Sequence, residues 1–307
     1  MRSWRSAARI AFCILAVALL IATVARERIA LAEALQQLSI VPLVASTLLV
    51  LAGLLAQMLS WRALFAGEGS DVPSLRASAQ IYYIGQLGKY VPGSVWAVVA
   101  QSELGVEHRI SRSRSAVVAL GALAVLVVTG TGVAAVVLSV TSPGSLWSYW
   151  WALPALPVGV FLLMPPVFNR LIRVALRVAR REGMTDGIGG RALVVSSAWA
   201  LAMWGLFGAH AWVLADALGG RSSQIALVCV GAFALAWVVG LLVVIAPAGA
   251  GAREAALVLA LGTVLARPEA LVLALVSRII MVLADAVVAG AVAPDLLLRR
   301  RVTRTGG

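Results

Sequence analysis

The stretch 225–246, IALVCVGAFALAWVVGLLVVIA, contains no charged side chain. A helix needs about 20 such residues to cross the hydrocarbon core of a bilayer, so this segment alone places the chain in a membrane. Directly after it comes PAGAGARE, 247–254, where proline, glycine and two opposite charges break the apolar pattern. Working outward, runs that qualify or nearly qualify as spans are 8–25, 40–60, 115–140, 149–169, 192–214 and 270–292. A further run, 254–266, is short, and 76–105 is apolar but broken.

Composition agrees with the run count. The 307 residues are 62% hydrophobic and 12% charged, and mean hydropathy is +0.98. Soluble domains carry roughly 25% charge, so a water-soluble fold is excluded. The expected fold is all-α: a polytopic integral membrane protein of about eight transmembrane helices, with one or two broken or re-entrant segments. It forms a single transmembrane domain, 1–307, with two halves at about 1–170 and 190–307. A basic cytoplasmic loop, 170–190, separates them, and a basic cytoplasmic tail, 296–307, follows.

The charge of +12 would suggest nucleic acid in a soluble protein. Here the basic residues sit in short clusters between apolar runs: the N-terminus, Arg109 to Arg114, Arg170 to Arg181, and Arg299 to Arg304. Such clusters mark cytoplasmic ends of spans, so nucleic acid is not an expected partner. One topology satisfies all four, with both termini cytoplasmic, 254–266 crossing, and 76–105 returning to the side it left. Trp147, Trp150 and Trp151 then anchor the outer interface and Trp61 the inner one. Nearly all basic residues are arginine, Lys89 being the one lysine, and alanine and valine abound, a bias that hints at a GC-rich bacterial genome; the expected location is a bacterial cytoplasmic (inner) membrane. Cys13 and Cys229 lie in apolar runs without metal spacing, so neither a disulfide framework nor a metal site is expected. No cofactor is expected, and no phosphate-binding Gly-x-x-x-x-Gly-Lys-Ser/Thr loop is present.

Function is sought where the apolar pattern breaks. Tyr82 to Glu103 contains Gly85, Gly88, Lys89, Tyr90, Pro92, Gly93, Ser94 and Trp96; Pro247 to Glu254 contains Gly249, Gly251, Arg253 and Glu254. Non-helical backbone at membrane depth survives only when it is buried in protein or lines a watery cavity. Broken segments at corresponding places in two halves point to a transporter's binding site, and Pro92 and Pro247 lie about half the chain apart. The amides of Gly249 to Arg253 open a helix and suit a phosphate. In the last span Arg278 and Asp285 stand about two turns apart on one face. They either neutralise each other through neighbouring helices or leave Arg278 to face a phosphate. His210 reads as a packed or interfacial histidine outside the site.

The segment GKYVPGSVW, 88–96, the PAGAGARE element, Ser277-Arg278 and Asp285 together resemble the flippase-like transmembrane family of lysylphosphatidylglycerol synthases. The second motif is usually richer in glycine; Ala248 and Ala250 stand here instead. The resemblance implies a membrane domain that moves an aminoacylated or glycosylated phospholipid between leaflets, the lipid being modified by a separate soluble domain. The chain ends at Gly307, so the expectation is a stand-alone translocase rather than an enzyme. Carried over by position, Lys89, Tyr90, Pro92, Gly93 and Trp96 line the first element. Gly249, Gly251, Arg253, Glu254 and Arg278 form the headgroup site, with Asp285 beside it. Expected partners are membrane lipids and a separate lipid-modifying synthase or glycosyltransferase. Two other functions compete: a membrane-embedded glycosyltransferase using a polyprenyl-phosphate sugar, and a scaffold for a lipid or glycan synthase. The first needs an acidic residue on the outer face, where the first loop offers Glu27 and Glu33 beside Arg26 and Arg28.

Overall fold

The computed structural model describes residues 32–33, 36–66, 72–91, 96–141, 154–178, 187–243 and 249–305. The described residues are helical and contain no strand. Long helices are α1 (Ile40–Ala63), α4 (Arg112–Thr141), α7 (Gly190–Ala217), α8 (Ile225–Leu242) and α10 (Arg267–Thr305, apolar through Ala293). These five are long and apolar enough to cross a membrane, as lipid requires of a chain that must satisfy its own backbone hydrogen bonds. A bent pair, α5 (Ala155–Leu163) and α6 (Pro165–Val178), makes a sixth candidate. The bend is 77° and falls where Met164 is extended before Pro165, the conformation a following proline imposes.

The expected span at 8–25, the tryptophan loop around Trp147 and Pro92, Gly93, Pro247 and Ala248 lie outside the described residues. The run 254–266 is not a full crossing: it forms α9 (Ala252–Leu261), only about 15 Å of helix. Part of the expected loop 170–190 is also helical, because α6 continues to Val178 with Phe168, Ile172 and Leu176 buried and Arg173 and Arg177 outward.

Apolar lipid gives helices no hydrophobic reason to associate, so close packing and hydrogen bonds must do it. α1 and α7 make the most extensive contact, and Gly53 lets them close on each other: a Cβ there would overlap the Phe207 ring. Along the same seam Ser60 Oγ donates to Ser196 O at 2.9 Å. Further along, His210 bridges Ser46 on α1 (2.5 Å) and Ser277 on α10 (2.8 Å). Trp204 Nε1 donates to Thr129 Oγ1 at 3.0 Å and ties α7 to α4.

Cross-contacts assign the helix ends to two faces. Arg114 bonds Phe65 O, Asn169 bonds Ile188 at both its amide and carbonyl, and Arg62 bonds Pro73 O. A Cβ on Gly121 would touch Ile188, Leu64 and Phe168. One face therefore gathers the end of α1, the starts of α4 and α7, and the basic residues of α4 and α6. At the opposite face Gly220 meets Ile225 and Leu265, which places the start of α8 and the turn between α9 and α10 together.

Candidate functional site

Two short elements enter the bundle from these opposite faces. From the arginine-bearing face comes a hairpin. Its first arm begins as α2 (Leu75–Ala79), passes through a π-helical turn at Gln80–Ile84 and narrows to a 3₁₀ turn at Leu87–Tyr90. Its second arm is α3 (Trp96–Glu107). The arms run antiparallel with backbones almost touching: a Cβ on Gly85 would lie 2.5 Å from Gln101, and one on Gly88 would lie 2.7 Å from Ala97 N. Glycine is required at both by this approach. The chain turns into α4 through Arg109, left-handed at φ 63°, with Ile110 N bonding Gly105 O at 3.0 Å.

The first arm follows α10 inward. Gln80 reaches Val292 O near the end of the apolar stretch, and Tyr90 and Lys89 reach Asp285. Asp285 lies about 12 Å along the helix from Ala293, so the hairpin penetrates toward mid-depth and comes back.

From the other face, α9 is a half-helix whose N-terminus stops inside the bundle. Gly249 and Gly251 precede it with φ of 69° and 85°, the left-handed region that a side chain resists. A Cβ on Gly249 would lie 2.6 Å from Gly240 Cα, so this turn rests directly on the backbone of α8. Gly240 is a site-building residue that the sequence pattern concealed, because a glycine in an apolar helix carries no signal of its own.

Between the arms of the hairpin near Lys89 and Tyr90 and the half-helix lies a cavity of about 160 Å³. Lys89, Tyr90, Gly249, Arg253, Arg278 and Asp285 line it. Lys89 Nζ lies 2.6 Å from Asp285 Oδ2, and Tyr90 Oη donates to the same oxygen at 2.6 Å. Asp285 is the buried member, with a side chain 5% exposed against 30% for Lys89. Arg278 Nη1 lies 3.5 Å from Glu254 Oε1, while Glu254 Oε2 accepts from Gly251 N at 2.6 Å. Arg253 stands over the Phe233 ring, 4.8 Å from its centroid.

Arg278 and Asp285 each take a partner from a broken segment, Glu254 and Lys89 respectively, rather than pairing directly with one another. The amides opening α9 are not all available to an anion, since Glu254 folds back and occupies that of Gly251. Trp96 opens α3, half exposed, and its backbone is the surface that Gly88 meets. Trp61 is not an interfacial anchor: it is buried, packs against Phe65 and Tyr82, and borders the cavity.

Gln57, Gln86, Gln101, Tyr82 and Trp237 complete the polar and aromatic lining. Gln57 was legible in principle, as an amide in the middle of an apolar run; Gln101 owes its place to the hairpin.

The model of the lysylphosphatidylglycerol synthase TM region matches residues 6–289. The chain belongs to this family. No curated protein matches it. As a member of the lysylphosphatidylglycerol synthase TM family it is a multi-pass membrane protein, and the matched region, the family's membrane domain, contains every residue that lines the cavity.

Proposed function

We propose that this chain moves a lipid with a polar headgroup, a phospholipid or a polyprenyl-type lipid, from one leaflet to the other. The observation that carries the reading is the placement of a charged cavity at mid-depth, between elements that enter from opposite faces. Charges there cost about 2.5–3.5 kcal/mol each on insertion scales, and they are retained where a polar substrate must pass. A half-helix and a re-entrant hairpin meeting at the midplane is the architecture from which alternating access is built. The headgroup enters the cavity with its phosphate against Arg253 and Arg278, while the acyl chains stay in the bilayer. Transport, not catalysis, is then the activity of this chain.

The accompanying topology has about eight crossings. It counts the five long helices, the bent pair, the run 8–25 and, as an eighth segment that enters without crossing in full, the half-helix α9. The face bearing Arg112 and Arg173 is assigned to the cytoplasm of a bacterial inner membrane by the positive-inside rule, with both termini there. A separate lipid-modifying synthase or glycosyltransferase supplies the substrate.

The test is leaflet exchange of fluorescent phospholipids and a polyprenyl-phosphate sugar in liposomes holding the purified protein. Arg253→Ala and Arg278→Ala should each slow exchange by tenfold or more, about 1.4 kcal/mol, while remaining folded. Exchange at wild-type rates in both variants would remove the arginines from the pathway and favour a scaffold.

A further inference from the structure

We infer that the cavity selects an uncharged, hydroxyl-bearing headgroup carried on a single phosphodiester charge. This rests on the lipid-transport reading and adds the chemistry of the headgroup.

The first argument is charge. Lys89, Arg253 and Arg278 face Asp285 and Glu254. Both carboxylates are engaged, Asp285 by Lys89 and Tyr90, Glu254 by Arg278 and the Gly251 amide. Arg253 has the Phe233 ring and, among the described residues, no carboxylate within ion-pair distance. One positive charge is therefore left for the ligand to match, in a setting where unmatched charge is costly. An ammonium on the headgroup would have to expel Lys89 from Asp285 or lie among cations.

The second argument is the rest of the lining. Gln57, Gln86 and Gln101 present amides, each both donor and acceptor, beside Trp61, Tyr82 and Trp237. Gln101 and Trp61 are 3% and 1% exposed, and Gln101 Oε1 and Trp61 Nε1 have no hydrogen-bond partner among the described residues. Buried polar atoms are nearly always paired. These two residues border one cavity, and an acceptor together with a donor is matched by hydroxyls, which give and accept; a bare phosphate or an ammonium does only one of these. A polyol phospholipid and a polyprenyl-phosphate sugar share this chemistry.

Liposomes holding the protein should be loaded in parallel with acyl-labelled phosphatidylglycerol, phosphatidylmethanol, phosphatidylethanolamine and a polyprenyl-phosphate hexose. Phosphatidylmethanol keeps the single charge and lacks the hydroxyls. We expect one of the two hydroxylated lipids to exchange about tenfold faster than phosphatidylmethanol, and phosphatidylethanolamine to move at the protein-free rate. Which hydroxylated lipid moves identifies the source. Gln101→Leu, or Gln57→Leu if the former does not fold, should bring the ratio to phosphatidylmethanol toward one. Equal rates for hydroxylated lipids and phosphatidylmethanol, or rapid exchange of phosphatidylethanolamine, overturn the inference. If no lipid moves, transport itself fails, and selectivity is read from thermal stabilisation of the protein in detergent by the same lipids. Greater stabilisation by the hydroxylated lipids sustains the inference; equal shifts overturn it.

Discussion

Asp285 concentrates the energetics of the site in one side chain, since it holds both Lys89 and Tyr90 through a single oxygen. Truncating one member of a buried ion pair strands the other, which costs about 3–5 kcal/mol in fully buried cases, and less here because Lys89 is partly exposed. Asp285→Ala should lower the unfolding temperature in detergent, and Lys89→Met with Asp285→Leu should recover most of that loss. A double variant as unstable as the single would show that the ion pair is not what holds the hairpin. Gly249 offers a backbone counterpart. Its φ of 69° and 2.6 Å approach to Gly240 leave no room for a methyl group, so Gly249→Ala should destabilise by roughly 1–2 kcal/mol or more. Gly205 has ordinary helical backbone and open space where a Cβ would stand, so Gly205→Ala is the control and should be neutral or slightly stabilising by chemical or thermal unfolding.

Among the elements, the hairpin is the one whose geometry decides the topology. Ser74 precedes its first arm and Arg109 follows its second, and both ends lie at the arginine-bearing face. With Cys13 and Cys229 replaced by alanine, cysteines at Ser74 and Arg109 should react with a membrane-impermeant maleimide from the same side. Labelling from opposite sides would make 76–105 a crossing and remove the re-entrant element. The π turn explains how one short arm serves two neighbours. Its extra residue turns the chain so that Gly85 and Gly88 meet α3 while Lys89 and Tyr90 meet α10.

For the whole molecule, the faces assigned by cross-contacts carry a clear expectation. Ser222, beside the start of α8, should be labelled from the side opposite to Ser74 and Arg109 when replaced by cysteine in the same background. The same side for all three would contradict the passage of α7 through the membrane. Basic residues on α4 and α6 share one face although they lie far apart in sequence. Exposed Arg173 and Arg177 there meet anionic headgroups at about 1 kcal/mol each, so replacing both by glutamine should weaken retention on vesicles rich in phosphatidylglycerol relative to neutral ones.

The membrane class, the long spans and the two broken segments were legible because each depends on local composition: apolar length for a crossing, proline and glycine for a break. Lys89, Tyr90, Arg253, Glu254, Arg278 and Asp285 could be singled out on the same ground, as polar groups where lipid disfavours them. Their partners could not. Arg278 and Asp285 share a helix face, yet Glu254 and Lys89 come from segments distant in the chain, and pairing across that distance is decided by how helices pack. Trp61 looked interfacial because tryptophan prefers interfaces, and only the packing of α2 and the π turn against α1 buries it. Gly240 and Gln101 acquire meaning in the same way. A residue's type follows from the sequence, but the wall it stands in exists only once the hairpin and the half-helix have met.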